Sequence, residues 1–386
     1  MSAAPSTALF DDVSLDELRA RLSAKWRRYP PDVLPAWVAE MDFALAPAVR
    51  RALAEAVERD DTGYAEPAGL GAAFAGFAAE RWGWAVDPAR TLVLADVMSG
   101  VAELLGVVTE PGDGVVVNPP VYPPFFGIVA QVGRRVVEAP LDAAGRLDLD
   151  RLEAASAGGA RAYLLCNPHN PTGTVFARDE LAQVAALAAR HGVAVISDEV
   201  HAPLTLPGAA HTPFLALGGE AAEHGLALVS ASKAWNVAGL KCALAVAASE
   251  RAAAVLARVP EHVRFHVGHL GVIAAVAAFR DGVDWLDGLV AHLDGQRRHL
   301  AELLAAELPE VGYAPPQAGY LAWLDCRALG LGDDPSAAFL ERGRVALSPG
   351  PTFGAEGKGF ARLNFGTSRA LLEEAVRRMV RGSSGR

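Results

Sequence analysis

The chain contains four lysines, Lys25, Lys233, Lys241 and Lys358, so chemistry that needs an amine has few candidates. Lys233 sits in Ser230-Ala231-Ser232-Lys233-Ala234-Trp235-Asn236, at the end of an apolar run and among small residues. That is a poor setting for a solvated surface lysine. Desolvation and neighbouring positive charge lower an amine's pKa, which makes it a nucleophile and a base. Ser230, three residues before it, and Lys241, eight after it, are suited to holding a phosphate. Lys25 falls in an N-terminal amphipathic helical pattern and Lys358 in a glycine loop, so Lys233 is the strongest of the four.

Three further groups have types and positions that complement such an amine. Asp198 and His201 lie in Ser197-Asp198-Glu199-Val200-His201, after the run Val193–Ile196. A carboxylate there either caps a helix or pairs with a buried cation. Next to a heteroaromatic cofactor it would keep the ring nitrogen protonated and make the ring an electron sink, and His201 would reach the same group. Asn170 lies in the rigid polar loop Asn167-Pro168-His169-Asn170-Pro171-Thr172-Gly173. Taken singly this loop reads equally as a turn or as a side-chain amide offered to a ligand oxygen. Ser99-Gly100-Val101 falls between an apolar run and a helical pattern, where backbone N–H groups and a glycine suit a phosphate, although an ordinary strand–helix turn looks the same.

These groups need elements to position them. Seven short apolar runs read as strands: Leu92–Ala95, Val115–Asn118, Arg135–Glu138, Ala162–Cys166, Ala194–Ser197, Leu226–Ser230 and Ala243–Ala247. Continuous rather than alternating hydrophobicity fits strands covered on both faces. Helical stretches between them, such as Val101–Val108 and Arg178–His191 with Gly192 as C-cap, imply an α/β domain with a mainly parallel sheet. In such sheets ligands bind at the carboxyl ends of the strands, which is where all four groups fall. Outside this region the pattern predicts a helix over Leu15–Trp26, an extended segment Tyr29–Phe43, a long helix Trp285–Leu308, a strand Tyr320–Asp325, a loop Ser348–Gly359 and a last helix. The expected division is a large domain over 48–282 and a smaller one built from 1–47 and 283–386.

Bulk properties bound the function. With 386 residues, 52% hydrophobic and 21% charged, the chain can bury a sizeable core. A formal net charge of −10 argues against nucleic acid or an anionic membrane as partner. The most apolar run, Val267–Phe279, is too short to span a bilayer, and Met1–Asp12 shows no secretory pattern. Cys166, Cys242 and Cys326 are widely spaced without a CxxC, as small hydrophobes of a reducing compartment would be, and no metal set is visible. The expectation is a cytoplasmic enzyme.

The order Ser-Gly, Asn, Asp, Lys on successive strand ends resembles the fold-type I pyridoxal-5′-phosphate (PLP) enzymes of the class I/II aminotransferase family. Within it the chain is most similar to the MalY/PatB-type cystathionine β-lyases, or C–S lyases. The resemblance covers nearly the whole chain. It includes Trp37-Val38-Ala39-Glu40-Met41-Asp42-Phe43, Thr62-Gly63-Tyr64, the Asn-Pro loop, Asp198-Glu199-Val200-His201, the lysine segment, Tyr320-Leu321-Ala322-Trp323-Leu324-Asp325 and Gly359-Phe360-Ala361-Arg362-Leu363-Asn364. It implies that Lys233 carries the cofactor as a Schiff base and moves protons at the substrate Cα. Asp198 would pair with the pyridinium nitrogen, Asn170 and His201 would approach the ring oxygen, and Tyr122 would stack on the ring. Ser99, Gly100, Val101, Ser230 and Lys241 would hold the phosphate, with Tyr64 reaching it across a homodimer interface, and Arg362 would bind the substrate carboxylate. Two positions depart from the pattern. Lys241 stands where many aminotransferases place arginine, and Glu40 where aspartate is expected.

The implied reaction is β-elimination from an L-cysteine S-conjugate such as cystathionine, giving a thiol (homocysteine), pyruvate and ammonia. An aminotransferase shares every cofactor contact and is the alternative on the same scaffold. A non-catalytic regulatory protein would keep the fold but not the full set of Lys233, Asp198, Asn170 and Arg362.

Overall fold

The computed structural model describes residues 10–67 and 69–384. Most of the segment read for a secretory pattern, residues 1–9, lies outside them. Seven strands form the central sheet: β1 (Thr91–Leu94), β2 (Gly114–Val117), β3 (Arg135–Glu138), β4 (Ala160–Cys166), β5 (Ala194–Asp198), β6 (Gly225–Val229) and β7 (Ala243–Val246). Their order is β1-β7-β6-β5-β4-β2-β3. Only β7 runs against its neighbours; the other strands share one direction.

The reason the strands read as unbroken apolar runs is visible in β4. Tyr163 and Leu165 enter one hydrophobic core, while Ala162, Leu164 and Cys166 enter the other. Side chains alternate between faces, and helices cover both. The edge strand β3 is the exception, with Arg135 and Glu138 exposed at its ends, a charge pattern that discourages edge-to-edge pairing. The three cysteines are free and buried. Helix Arg178–His191 ends on Gly192 in the left-handed conformation at φ 65°, as expected of a C-cap.

The ends of the chain differ from the sequence expectation in informative ways. The helix expected over Leu15–Trp26 is two pieces, Leu15–Ala20 and the single turn Ala24–Arg27. Ser14 and Glu17 form a capping box at the first. Arg21 then turns extended and its guanidinium donates to the carbonyls of Asp42 (3.1 Å) and Phe43 (3.2 Å). Lys25 is not on a solvated helix face. Its side chain is 1% exposed and Nζ pairs with Asp42 Oδ2 at 2.8 Å, while Trp26 Nε1 donates to Asp42 Oδ1 at 3.0 Å. The gain of this buried cluster outweighs continuation of one short helix.

The C-terminal part follows helix Val283–Glu307 with a four-stranded antiparallel sheet, in the order Ser348–Pro349, Phe360–Asn364, Leu321–Asp325, Gly312–Tyr313. The segment expected as a loop, 348–359, therefore opens with a short strand before its 3₁₀ turns. Leu34–Pro35 pairs in parallel with Val345–Ala346, which attaches the N-terminal segment to the C-terminal part. Among the described residues, no helix is long and apolar enough to cross a membrane. Most of the apolar run Val267–Phe279 lies in helix His269–Asp281, much of which is buried in the core.

The Lys25–Asp42 pair anchors the N-terminal segment. Removing one partner of a buried pair costs about 3–5 kcal/mol. Asp42→Ala is expected to lower the thermal midpoint by roughly 5 °C or more. A shift below about 2 °C by calorimetry would show that the pair carries little of the fold.

Candidate active site

The carboxyl ends of the parallel strands open on a cavity of about 410 Å³ lined by charged and aromatic side chains. Lys233 follows β6 and Asp198 ends β5. Asn170 lies in the loop after β4, and Tyr122 follows β2 ahead of helix Pro124–Gln131. All four line the cavity, as do His201, Lys241 and Arg362. Arg362 comes from strand Phe360–Asn364 of the other sheet, so the cavity lies between the two.

Lys233 is half-buried, and its Nζ donates to the carbonyl of Ala39 at 3.2 Å. Burial, and then the Arg362 guanidinium, lower its pKa to about 8 against the opposing pull of Asp198 and Glu40. An appreciable fraction is therefore the neutral, nucleophilic amine near pH 7. Asp198 is buried, and burial raises it to about 6 although the Val200 N–H bonds its Oδ1 at 3.1 Å and Lys233 favours the ionised form. A cation placed against it would return it to the carboxylate. Burial and the charges of Lys233 and Arg362 depress His201 to about 3, so it is a neutral imidazole. Arg362 is lowered to about 10 by burial and stays charged. Its Nη1 donates to Asn170 Oδ1 (3.0 Å) and its Nη2 to Trp37 O (2.9 Å) and Ser348 Oγ (3.0 Å).

The segment Trp37–Phe43 lines the cavity through Val38 and Ala39 and bonds to the lysine loop and to the Arg362 sheet. Ala39 O accepts from Tyr320 Oη (3.0 Å) as well as from Lys233. Asn364 Nδ2 donates to the carbonyls of Val38 and Glu40, both at 2.7 Å. Asn236 makes a two-way clamp: its Oδ1 accepts from the Met41 N–H and its Nδ2 donates to the Met41 carbonyl, both at 2.8 Å. Asn236 adopts φ 57°, a left-handed conformation that asparagine tolerates better than most residues. These roles for Ala39, Asn236, Asn364 and Tyr320 were not read from the sequence. They are backbone and amide contacts across large sequence separations, which leave no periodic signal.

Five of the expected residues lie elsewhere. Helix Val97–Val108 begins four residues before Val101, because Asp96 caps it: Asp96 Oδ1 accepts from Ser99 N (2.7 Å) and Ser99 Oγ (2.9 Å). Ser99 and Gly100 are thus inside the first turn and Val101 begins the second, and Asp96, Val97 and Met98 line the cavity in their place. The Gly100 N–H already donates to the Asp96 carbonyl at 3.0 Å. A Cβ on Gly100 would stand 2.7 Å from Leu228 and 2.8 Å from Leu94, both fully buried, so this glycine serves helix–sheet packing. Val101 is a core residue. Ser230 Oγ donates its one proton to Cys242 O (2.7 Å) and accepts from Ser232 N (3.0 Å), leaving no donor for a phosphate; Ser232 lines the cavity instead. Tyr64 is 87% exposed, packed edge-on against Phe265, which is also exposed. An Asp directly after an apolar strand is an N-cap signal that would have found Asp96.

The donor set suits PLP. Lys241 and the start of an uninterrupted helix can face a phosphate, Asp198 a pyridinium nitrogen, and the Lys233 amine an aldehyde, while Arg362 remains for a carboxylate. Two buried atoms of cavity-lining residues, His201 Nδ1 and Arg362 Nε, have no partner among the described residues, as groups awaiting a ligand would. Among the described residues no cluster of His, Cys, Asp and Glu is arranged to hold a metal.

Comparisons with known proteins support the cofactor. The sequence pattern described as "Aminotransferase class I and II" matches residues 38–379. A Mycobacterium tuberculosis (strain ATCC 25618 / H37Rv) protein provisionally named cystathionine β-lyase is 50% identical, over 96% of this chain and 97% of its own. The cystathionine β-lyase of Corynebacterium glutamicum is 38% identical, covering 95% and 98%. A crystal structure from Corynebacterium diphtheriae, described provisionally as a PLP-dependent β-cystathionase, superposes with a TM-score of 0.93 at 38% identity, covering 97% of this chain and 99% of that one.

The depressed Lys233 amine gives a pH prediction. Capture of added PLP by the cofactor-free protein needs the neutral amine, so its rate is expected to rise with pH around a midpoint near 8. Stopped-flow absorbance would read this. A midpoint near the ordinary lysine value of 10.5 would contradict the burial argument.

Proposed function

Because the chain belongs to the aminotransferase class I and II family, we propose that it is a PLP-dependent carbon–sulfur β-lyase. It cleaves L-cystathionine or a related cysteine S-conjugate to a thiol, pyruvate and ammonia. The observation that carries the cofactor assignment is the depressed Lys233 amine sharing one cavity with buried Asp198. The likeness to cystathionine β-lyases along almost the full chain supports the reaction.

Bound PLP supplies an electron sink for the charge that develops at the substrate Cα. Arg362 binds the substrate carboxylate through its planar fork, held in aim by Asn170, Trp37 O and Ser348. Lys233, whose depressed amine lines the same cavity, would take the Cα proton on Nζ. Asp198 would face the ring nitrogen and keep it protonated, and the neutral His201, lining the same cavity, would approach the ring oxygen without adding charge. Tyr122 offers an aromatic face; burial, and then Asp198, raise its hydroxyl pKa, so it remains protonated.

The chain works as a homodimer in the cytoplasm on a small amino-acid substrate, in methionine synthesis or cysteine-conjugate breakdown. The exposed pair Tyr64 and Phe265 supports a covered surface there, with Tyr64 reaching the partner's cofactor phosphate. The division into 48–282 and 1–47 with 283–386 is supported by the pairing of Leu34–Pro35 with Val345–Ala346.

Purified protein with PLP and L-cystathionine is expected to yield equal amounts of pyruvate and homocysteine. A visible cofactor band without pyruvate, together with turnover of a 2-oxo acid, would mean an aminotransferase. Arg362→Lys is expected to raise KM by about tenfold or more, because a point charge cannot replace the bidentate fork. An unchanged KM would remove Arg362 from substrate binding.

A further inference from the structure

Asp96 is an acidic residue at the start of the cavity-lining helix, paired with the cavity's Lys241. Its Oδ1 caps helix Val97–Val108 through Ser99, and its Oδ2 accepts from Lys241 Nζ at 2.8 Å. Asp96, Val97, Met98 and Lys241 all line the cavity. Lys241 has no other carboxylate partner among the described residues. The helix is long enough to carry a positive N-terminal end. Both features that attract a phosphate, the lysine and the helix terminus, are therefore already partly neutralised by one carboxylate. Capping does not require that charge, because asparagine and serine cap helices as well as aspartate does.

We propose that Asp96 weakens the hold on the cofactor phosphate, so that PLP in this enzyme is exchangeable rather than permanently retained. The inference rests on the reading that this cavity takes PLP with its phosphate near Lys241. The phosphate must share Lys241 with a carboxylate and meets like charge at short range. The side chains of Lys241 and Asp96 are 57% and 34% exposed, so solvent moderates the repulsion without abolishing it.

The test is equilibrium titration of cofactor-free protein with PLP, and in parallel with pyridoxal, which lacks the phosphate. Wild type, Asp96→Asn and Asp96→Ser are compared, both substitutions keeping a helix cap. Each variant is expected to bind PLP about tenfold more tightly than wild type, to lose it more slowly on dialysis, and to bind pyridoxal unchanged. Inorganic phosphate is expected to compete more strongly in the variants. Unchanged or weaker PLP binding would overturn the proposal and make Asp96 the residue that holds Lys241 in place for the phosphate. Equal tightening of pyridoxal would overturn it too, since the effect would not pass through the phosphate. If wild-type protein forms no visible band with PLP that Lys233→Ala abolishes, the cofactor reading itself fails and this inference goes with it.

Discussion

Lys233, Arg362 and Asp198 bring two cations and one carboxylate into a single cavity, and the structure around them is organised by that electrostatic demand. Taking charges out of water is expensive unless partners replace the lost hydration. Arg362 finds Asn170, Ser348 and a backbone carbonyl; Lys233 finds the Ala39 carbonyl. The residual imbalance is expressed as pKa shifts: Lys233 down, Asp198 up and His201 far down. Each shift puts a group in a state useful for amine chemistry.

Holding those charges requires a frame that does not yield. The sheet supplies one half of it, because six strands of common direction bring their carboxyl ends to one edge. The segment Trp37–Phe43 supplies the other half. It is tied to the lysine loop by Asn236, to the Arg362 strand by Asn364 and to the N-terminal helices by Lys25. Through Ala39 its backbone accepts a hydrogen bond from the Lys233 amine. A movement of this segment would change the environment of Lys233 and Arg362 together.

Several features were legible in the residues. Six of the seven central strands fall where largely apolar runs lie, since a strand buried on both faces has no polar side to show; the edge strand β3 carries charges at its ends. Lys233, Asp198, Asn170 and His201 drew notice because a charged or amide residue after a strand's carboxyl end stands out against that background, and Lys241 because it follows Lys233 by eight positions. Gly192 announced a helix end. Other features were not legible. The start of helix Val97–Val108 was placed four residues late because its first turn carries Ser99 and Gly100, which resemble a loop, although Asp96 was present as a cap. Lys25 reads as an amphipathic surface residue until Asp42, seventeen positions later, is seen beside it.

The sequence by itself determined which chemistry was available and which strand ends carried it, because hydrophobic periodicity and residue type are local properties that fold class follows. Only the tertiary structure decided which backbone atoms complete the site. Ala39 O, the Asn236 clamp and the displacement of Ser230 by Ser232 depend on tertiary contacts, some between residues as much as 281 positions apart. The same holds for charge. That Lys241 already serves Asp96 across 145 positions is a matter of distance in space, and no spacing along the chain records it.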